Sequence, residues 1–301
     1  MICNVSITME EERMNIGGTI QRIRTGKNIS QAVLSENIIS RPHLSLIEND
    51  KYDLSFNTLL KLLQKMHISM EEFLYLTENY TVSEVRKLSV QLMSAANKGS
   101  IDELEEIQKK AKSKLNSQED FEYFHLYLLT KTYIYLWNNN FKLDEEVEKI
   151  VQPIKGYLLN LSEWYIYDLK LLNNILFVFD LSSIHSISKK VLKSLEKYKD
   201  YPSARNDYLF LLINMSTYYI EKGLYQESLE FSCLGKEKVN NNIYEKIVLD
   251  INDSVANIKL GKESKKNKER LTNRLFIIDS LDFKELKNHF QELLEQHDIW
   301  L

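Results

Sequence analysis

The chain has 301 residues, of which 44% are hydrophobic and 27% are charged, and its formal net charge is -4 at pH 7. This composition supports a sizeable buried core and excludes an intrinsically disordered or fibrous chain. Eight glycines and three prolines are too few for a fold built from hairpins and long ordered loops, so the composition predicts an all-α protein. Two cysteines exclude a disulfide framework.

No stretch of the sequence is typical of a signal peptide or of an apolar membrane span of about 20 residues, so we expect a cytoplasmic protein without membrane contact. The beginning of the chain has an unusual feature. Glu10 to Arg13 would be encoded by purine-rich codons directly ahead of Met14, as a ribosome-binding site would be. Met14 is therefore a candidate for the native start beside Met1, and a mass measurement of the native N-terminus distinguishes the two.

Five short helical patterns follow one another in a predicted first domain, residues 14–80. Ser30, Ser40, Ser55 and Ser69 stand where they would cap the last four helices. The predicted helices are Ile16 to Arg24, Ser30 to Ser35, Arg41 to Ile47, Asn57 to Met66 and Glu71 to Tyr75. The predicted core is apolar and consists of Ala32, Val33, Leu34, Leu44, Ile47, Leu59, Leu60, Leu63 and Phe73.

In the rest of the chain, residues 81–301, the apolar helical pattern is interrupted about every 40 residues. Each interval between two interruptions contains two apolar helical stretches. The interruptions are Asn97 to Ser100, Asn138 to Asn140, Asp180 to Ser183, Lys222 to Leu224 and Leu260 to Lys262. This period predicts an α-solenoid of about five helical hairpins, closed by a C-terminal capping helix near Phe283 to Gln296.

One unit of this solenoid is close to a tetratricopeptide (TPR) pattern. In NMSTYYIEKGLYQESLEF, residues 214–231, Ser216 and Ser228 are small residues at the expected helix crossing and Gly223 is at the turn. Tyr219 and Phe231 are expected to fill the space between successive hairpins. The sequence therefore predicts a TPR-like repeat domain.

The first helix of each hairpin is expected to line the concave wall, and asparagines recur there. Asn214 and Asn252 each lie nine residues before a predicted turn, and Asn173 and Asn174 lie near the matching place one repeat earlier. An asparagine carboxamide can donate to and accept from the backbone of an extended peptide at the same time. The alternative is that asparagine is abundant in this chain and that some of these residues cap helices or face solvent.

Further residues complete a predicted peptide-binding set. Arg205 would meet a carboxylate, and four large side chains would form apolar pockets: Tyr133, Leu172, Phe177 and Phe210. The segment KESKKNKER, residues 262–270, is expected to be a flexible charged loop. The six histidines lie apart, and the sequence contains no HExxH, CxxC or glycine-rich phosphate loop, so we expect no catalytic site, no metal and no cofactor.

Two segments of the first domain, IGGTIQRIRTGKNISQ and ISRPHLSLIENDKYDLSFNTLLKLLQKMHIS, resemble the helix-turn-helix of the phage-repressor (XRE) type. The resemblance implies that Gln31 holds a DNA phosphate. It also implies that the first exposed positions of the third helix enter the major groove; these are Arg41, Pro42, His43 and Leu46. Arg24 and Glu48 match an internal ion pair of that family, which braces the first helix against the third.

Chemistry supports this interpretation of the third helix. Arginine can donate two hydrogen bonds to the O6 and N7 of guanine, so Arg41 is the candidate for direct base recognition. Ser40 caps the same helix, while Ser45 and Asn49 can reach phosphates and Lys51 adds positive charge. Between residues 15 and 51 there are five Lys or Arg and three Asp or Glu. In place of the family's glycine after this helix, the chain has Asn49 and Asp50, which tolerate a left-handed backbone.

As a whole the sequence resembles the Rgg/MutR family of regulators, most clearly in HLSLIENDKYDLSFNTLLKLLQKMHISMEEF, residues 43–73, and LLNNILFVFDLSSIHSISKKVL, residues 171–192. The resemblance implies a cytoplasmic homodimer that binds double-stranded promoter DNA and a short hydrophobic pheromone peptide, as in quorum sensing. Some members carry a cysteine near the start of the fourth helix for an intermolecular disulfide. The corresponding segment here is Leu54-Ser55-Phe56, which has none.

A second hypothesis treats the chain as a helical-repeat scaffold that docks a folded protein, with the N-terminal module serving oligomerisation rather than DNA binding. The two hypotheses differ in one inexpensive measurement. A regulator retards promoter DNA with a steep salt dependence, whereas a scaffold binds protein alone.

Overall fold

The computed structural model describes residues 15–115, 121–198, 200–201, 205–239 and 242–301, and of Arg205 it describes the backbone alone. Within these ranges the regular structure is helical throughout and contains no strand. The prediction of an all-α fold is confirmed. Met14, the candidate start residue, lies outside the described residues, as does Cys3.

The N-terminal helices agree with the predicted order. They are α1 (Ile16–Gly26), α2 (Gln31–Ser35), α3 (Arg41–Glu48), α4 (Phe56–Met66) and α5 (Met70–Thr77). Each predicted serine cap accepts a hydrogen bond at its Oγ from the backbone N–H three residues later, at 3.0 to 3.3 Å. These bonds satisfy N–H groups that have no acceptor within their own helix, which fixes where α2 to α5 begin.

The core of this part is formed by residues from all five helices. The buried members are Ile20, Ile23, Leu34, Leu44, Ile47, Leu62, Leu63, Met66 and Phe73. Of the predicted core, Leu59 and Leu60 are only half-buried, and Ala32 and Val33 were placed wrongly, since both are exposed. The reason is the length of α2: a helix of five residues turns one narrow face inward, and Leu34 with Ser35 occupies it.

A close backbone approach sets the position of α1 against the end of α3. A Cβ added to Gly17 would lie 2.0 Å from the carbonyl oxygen of Ile47, so this position requires glycine. The Gly17 N–H donates to Asp50 Oδ1 at 3.2 Å. Asp50 itself has φ +54°, so the expected left-handed residue after α3 is present without a glycine.

The remaining helices form consecutive hairpins followed by a single helix. Their bounds are α6 (Glu84–Lys98), α7 (Ile101–Ser113), α8 (Phe121–Asn138), α9 (Glu145–Asn160), α10 (Ile166–Ile175), α11 (Leu181–Tyr198), α12 (Arg205–Glu221), α13 (Tyr225–Lys238), α14 (Ile243–Lys259), α15 (Ser264–Ser280) and α16 (Lys284–Gln296). A short 3₁₀ turn, Leu176–Val178, follows α10. Every predicted interruption coincides with a break between two of these helices, which confirms the hairpin repeat and its capping helix.

The TPR-like unit packs as its sequence predicts. Ser216 of α12 and Ser228 of α13 are fully buried, and their hydroxyl oxygens are 2.9 Å apart at the crossing of the two helices. The rings of Tyr219 and Phe231 stack with centroids 5.6 Å apart. Gly223 has φ +73° in the turn between the helices, a conformation that glycine adopts without strain.

The segment KESKKNKER was predicted wrongly to be a flexible loop, because α15 begins at Ser264. Lys, Glu and Arg are strong helix formers, and this helix is held by partners on α14. Arg270 Nη1 donates to Asp253 Oδ2 at 2.9 Å, and Arg274 donates from two nitrogens to Asp250 Oδ2 at 2.8 and 2.9 Å. Leu271 between them is fully buried.

The contacts between residues divide the chain into two units, one up to Ser94 and the other Ala95–Leu301, so the division falls within α6. The sequence placed a functional boundary earlier, between Tyr80 and Thr81. No helix in the described part of the chain is both long enough and apolar enough to span a membrane.

A buried histidine gives the second unit a predicted pH dependence. His125 of α8 is 3% exposed, and its Nδ1 lies 2.8 Å from Tyr167 Oη. Burial lowers the pKa of His125 to about 4. Since this pKa lies below that of histidine in the unfolded chain, the unfolded state takes up the proton first as the pH falls, and stability is lost between about pH 6.5 and about pH 4.

We therefore expect the free energy of unfolding of the second unit to fall by about 2 kcal/mol between pH 6.5 and pH 5 through this residue. Guanidinium unfolding followed by tryptophan fluorescence measures it, because Trp137, Trp164 and Trp300 all lie in that unit. A His125→Gln variant should lose this part of the pH dependence. An identical pH dependence in the variant would contradict the assignment.

Candidate functional site

The third helix is fixed in place by a buried ion pair. Arg24 Nε lies 2.6 Å from Glu48 Oε1 and Arg24 Nη2 lies 2.8 Å from Glu48 Oε2, a two-point contact between α1 and α3. Arg24 also donates from Nη1 to the carbonyl oxygen of Ile29 at 2.9 Å. Hydrogen bonding to Glu48 raises the pKa of the Arg24 guanidinium. The predicted brace between the first and third helices is confirmed, and it holds α3 rigidly.

Gln31 extends this brace to α2. Its Nε2 donates to Glu48 Oε2 at 2.8 Å, so the carboxylate of Glu48 is shared by Arg24 and Gln31. One of the two Nε2 hydrogens of Gln31 is therefore used inside the protein. The other can still be donated to a phosphate, the role that the resemblance implies.

The N-terminal end of α3 presents its side chains to solvent. Arg41 and Pro42 are exposed, and Leu46 is 44% exposed one turn later. Within the described residues Arg41 has no hydrogen-bond or ion-pair partner, so its guanidinium is free to meet a ligand. Ser40 is occupied as the cap of α3, with its Oγ 3.3 Å from the backbone nitrogen of His43.

His43, which the sequence placed among the exposed positions of the third helix, is less accessible than expected. It is half-buried, and its Nε2 is shielded from solvent and has no hydrogen-bond partner among the described residues. The ring packs edge to face against Tyr52, with centroids 4.4 Å apart. Tyr52 is 56% exposed and was missed by the sequence analysis. One indication was available in the sequence: Tyr52 directly follows Lys51, which was predicted to contact DNA.

The remaining predicted DNA contacts lie at the far end of α3. Ser45 is half-buried, whereas Asn49 and Lys51 are exposed. Asn49 Nδ2 donates to the carbonyl oxygen of Ser45 at 2.7 Å, which leaves its Oδ1 to accept from a ligand. Lys51 carries its charge into solvent beside Tyr52.

In the second unit, α12 packs against both α10 and α14, the first helices of the neighbouring hairpins. Asn214 of α12 is exposed, and its Nδ2 donates to Asn173 Oδ1 of α10 at 3.0 Å. Asn174 instead donates to the carbonyl oxygen of Lys170 in its own helix. The structure thus joins two of the four predicted asparagines across neighbouring repeats.

Asn252 and Leu172 lie in the interior, away from the surface where the sequence placed them. Both are fully buried. Asn252 Nδ2 donates to Thr217 Oγ1 at 2.9 Å, while its Oδ1 is buried without a partner in the described part of the chain. Asn252 is inaccessible because it lies where α14 packs against α12, the helix that carries its partner Thr217.

The other residues that were predicted to contact the peptide differ in how exposed they are. Phe210 is 39% exposed and Phe177 is half-buried. Tyr133 donates from its hydroxyl to the carbonyl oxygen of Asn174 at 3.3 Å, and burial raises its pKa to about 12. The side chain of Arg205 lies outside the described residues.

No group of three or more His, Cys, Asp or Glu side chains is arranged to hold a metal ion in the ranges that the structure describes.

The candidate site consists of two surfaces with different chemistry. One is the exposed, partly basic end of α3, and the other is the polar and aromatic face shared by α10 and α12.

Comparison with known proteins identifies both parts of the chain. Residues 20–73 match the helix-turn-helix family model, and residues 103–292 match the model of the C-terminal domain of the HTH-type transcriptional regulator Rgg. The second match covers more than half of the chain. The first begins within α1 and ends within α5, and it includes the Arg24–Glu48 brace and Arg41.

Solved structures share the fold across nearly the full length. A putative transcriptional regulator from Listeria monocytogenes EGD-e has 18% identity and a TM-score of 0.78, covering 95% of this chain and 99% of that one. The SHP pheromone receptor Rgg2 of Streptococcus dysgalactiae has 19% identity and a TM-score of 0.69, covering 93% and 99%. The PrgX/cCF10 complex has 17% identity and a TM-score of 0.67, also covering 93% and 99%.

Taken together, a helix-turn-helix with a braced and exposed third helix, a repeat domain of helical hairpins and the match over residues 103–292 lead to one conclusion. The chain belongs to the Rgg family of helix-turn-helix transcriptional regulators.

Proposed function

We propose that this protein is a cytoplasmic transcriptional regulator that binds double-stranded promoter DNA as a homodimer and responds to a short hydrophobic peptide. In this proposal residues 14–80 bind DNA, and residues 81–301 bind the peptide and join the two subunits. Quorum sensing is the setting in which such a response would operate.

The DNA-binding part rests above all on Arg41. Its guanidinium is exposed at the N-terminal end of α3, and the helix beneath it is immobilised by the buried Arg24–Glu48 pair. A recognition helix needs this combination, because a side chain that reads base edges must project from a rigid support. The predicted base contacts are Arg41 with Pro42, His43 and Leu46, and the predicted backbone contacts are Gln31, Ser40, Ser45, Asn49 and Lys51.

The peptide-binding part is supported by the face of α10 and α12 and by the comparisons. This face offers an extended peptide the carboxamides of Asn173 and Asn214 and the apolar ring of Phe210. The other predicted contacts lie near these residues in the sequence or in repeat position; they are Tyr133, Asn174, Phe177 and Arg205. Leu172 and Asn252 would act from the interior by supporting this face. One similar structure is a pheromone receptor and another is a complex with cCF10.

The two parts are coupled if the peptide favours one conformation of the repeat domain. A ligand shifts a conformational equilibrium only by its difference in affinity for the two states. In a homodimer, a change in the repeat domains would alter the distance between the two DNA-binding parts. That distance must match half-sites about 34 Å apart, one turn of DNA.

Titration of the purified protein with fluorescent random-sequence duplexes tests the DNA-binding part. Anisotropy should show binding whose logarithmic affinity falls linearly with the logarithm of salt concentration, as expected when phosphate contacts release counterions. Sedimentation of the protein in the absence of DNA should show the dimer. Absence of DNA binding at about 50 mM salt, where phosphate contacts are strong, would refute the proposal in favour of a protein-docking scaffold.

A further inference from the structure

An ion pair crosses the same face of α10 and α12 that carries the two asparagines. Lys170 Nζ of α10 lies 3.0 Å from Asp207 Oδ2 of α12. Their side chains are 52% and 33% exposed, so water competes with the pair and its contribution to stability is small. Such a pair can exchange partners readily.

The neighbours of this pair follow helical spacing. On α12, Asp207, Phe210 and Asn214 are separated by three and four residues, so they share one face of the helix. On α10, Lys170 and Asn173 are separated by three residues. Phe210 is 39% exposed on this face, and the Asn214–Asn173 hydrogen bond lies about one turn beyond it.

An ammonium group, an apolar ring and two carboxamides thus follow one another along one surface. These groups complement the last residues of an apolar peptide: a terminal carboxylate, a hydrophobic side chain and backbone amides. A carboxylate near Lys170 would form a charge-assisted hydrogen bond, which is among the stronger polar contacts in proteins.

We infer that Lys170 is the receptor for the free C-terminal carboxylate of the peptide and that Asp207 occupies this receptor while no peptide is bound. This inference rests on the proposed peptide-binding function. Binding transfers the Lys170 ammonium from Asp207 to the ligand, and the ion pair that links α10 to α12 is lost. The exchange gives the peptide a direct means of loosening the contact between two repeats.

The two residues of the pair should have opposite effects on ligand binding. Lys170→Ala removes the receptor, so it should weaken binding of peptides with a free carboxylate. Asp207→Asn removes the competitor, so it should strengthen the same binding. A purely structural role of the pair would weaken binding in both variants.

The test uses a synthetic mixture of random octapeptides in two forms, one with free C-termini and one with C-terminal amides. Peptides retained by the full-length protein are quantified by mass spectrometry. We expect the wild type to retain the free acids roughly tenfold better than the amides, which corresponds to one charge-assisted contact. Lys170→Ala should abolish this preference, and Asp207→Asn should increase it.

Lys197→Ala is a matched control, because Lys197 pairs with Glu163 at 2.9 Å and the two side chains are 44% and 46% exposed. This variant should bind as the wild type does. Retention of both peptide forms to the same extent by the wild type, or equal losses in Lys170→Ala and Asp207→Asn, would overturn the role of Lys170 and leave the proposed function standing. Retention of neither form would overturn both the inference and the peptide-binding part of the function.

Discussion

Replacing Glu48 by alanine is expected to destabilise the N-terminal unit by about 3–5 kcal/mol, because it leaves the buried guanidinium of Arg24 without its counter-ion. Arg24 is 8% exposed and Glu48 is 3% exposed, so water cannot replace the lost contacts. The same change removes the acceptor of Gln31 Nε2 and thereby frees α2. We expect DNA binding to disappear together with the fold of this unit.

Tryptophan fluorescence does not follow this unit, because all three tryptophans lie in the other one. Hydrogen exchange measured by mass spectrometry on peptides from residues 15–80 follows it instead. Protection of α1 and α3 should fall strongly in Glu48→Ala and stay unchanged in the repeat domain. The double variant Arg24→Met with Glu48→Leu is the control, because replacing both charges by apolar groups is often close to neutral. Wild-type protection of α1 and α3 in Glu48→Ala would show that the pair does not support α3.

Replacing Arg41 by alanine is expected to cost about 1–3 kcal/mol of binding to the preferred DNA sequence, the range for a bidentate contact with guanine. Binding to scrambled DNA should weaken only as much as the loss of one positive charge requires. Stability should stay unchanged, because Arg41 is exposed and caps or braces nothing in the described structure. The measurement is anisotropy titration with preferred and scrambled duplexes at one salt concentration.

Lys27→Ala is the matched control for this experiment. Lys27 is exposed at the end of α1 and carries the same charge, but it lies outside α3, the proposed recognition helix. This variant should keep the ratio of affinities for preferred and scrambled DNA. Equal losses on both duplexes in Arg41→Ala would assign Arg41 to phosphate contact rather than to base recognition.

Much of the fold was predictable because local signals agree with packing. Ser30, Ser40, Ser55 and Ser69 cap helices through contacts within four residues, so the sequence alone contains the relevant chemistry. The turns between hairpins recur about every 40 residues, so their positions can also be recognised in the sequence alone. Predictions failed where tertiary contacts decide. Val33 is apolar, yet it is exposed because α2 is too short to bury it.

For the candidate site, the sequence indicated residues and repeat positions but not which side chains are accessible. Asn214 and Asn252 occupy equivalent places in their repeats, yet Asn214 is exposed and donates to Asn173, whereas Asn252 is buried and donates to Thr217 of the neighbouring repeat. The Lys170–Asp207 pair joins residues far apart in sequence, and Tyr52 packs on His43 across the turn after α3. Such contacts depend on how helices are placed relative to one another, which periodicity does not specify.

The central claim is that side chains at the start of α3 read DNA bases, and selection of binding sites from random duplexes tests it most directly. The wild type and Arg41→Ala should select the same site except at one position in each half-site, where the wild type prefers guanine and the variant shows no preference. Identical base preferences in the two proteins, or no enriched sequence with the wild type, would contradict the claim.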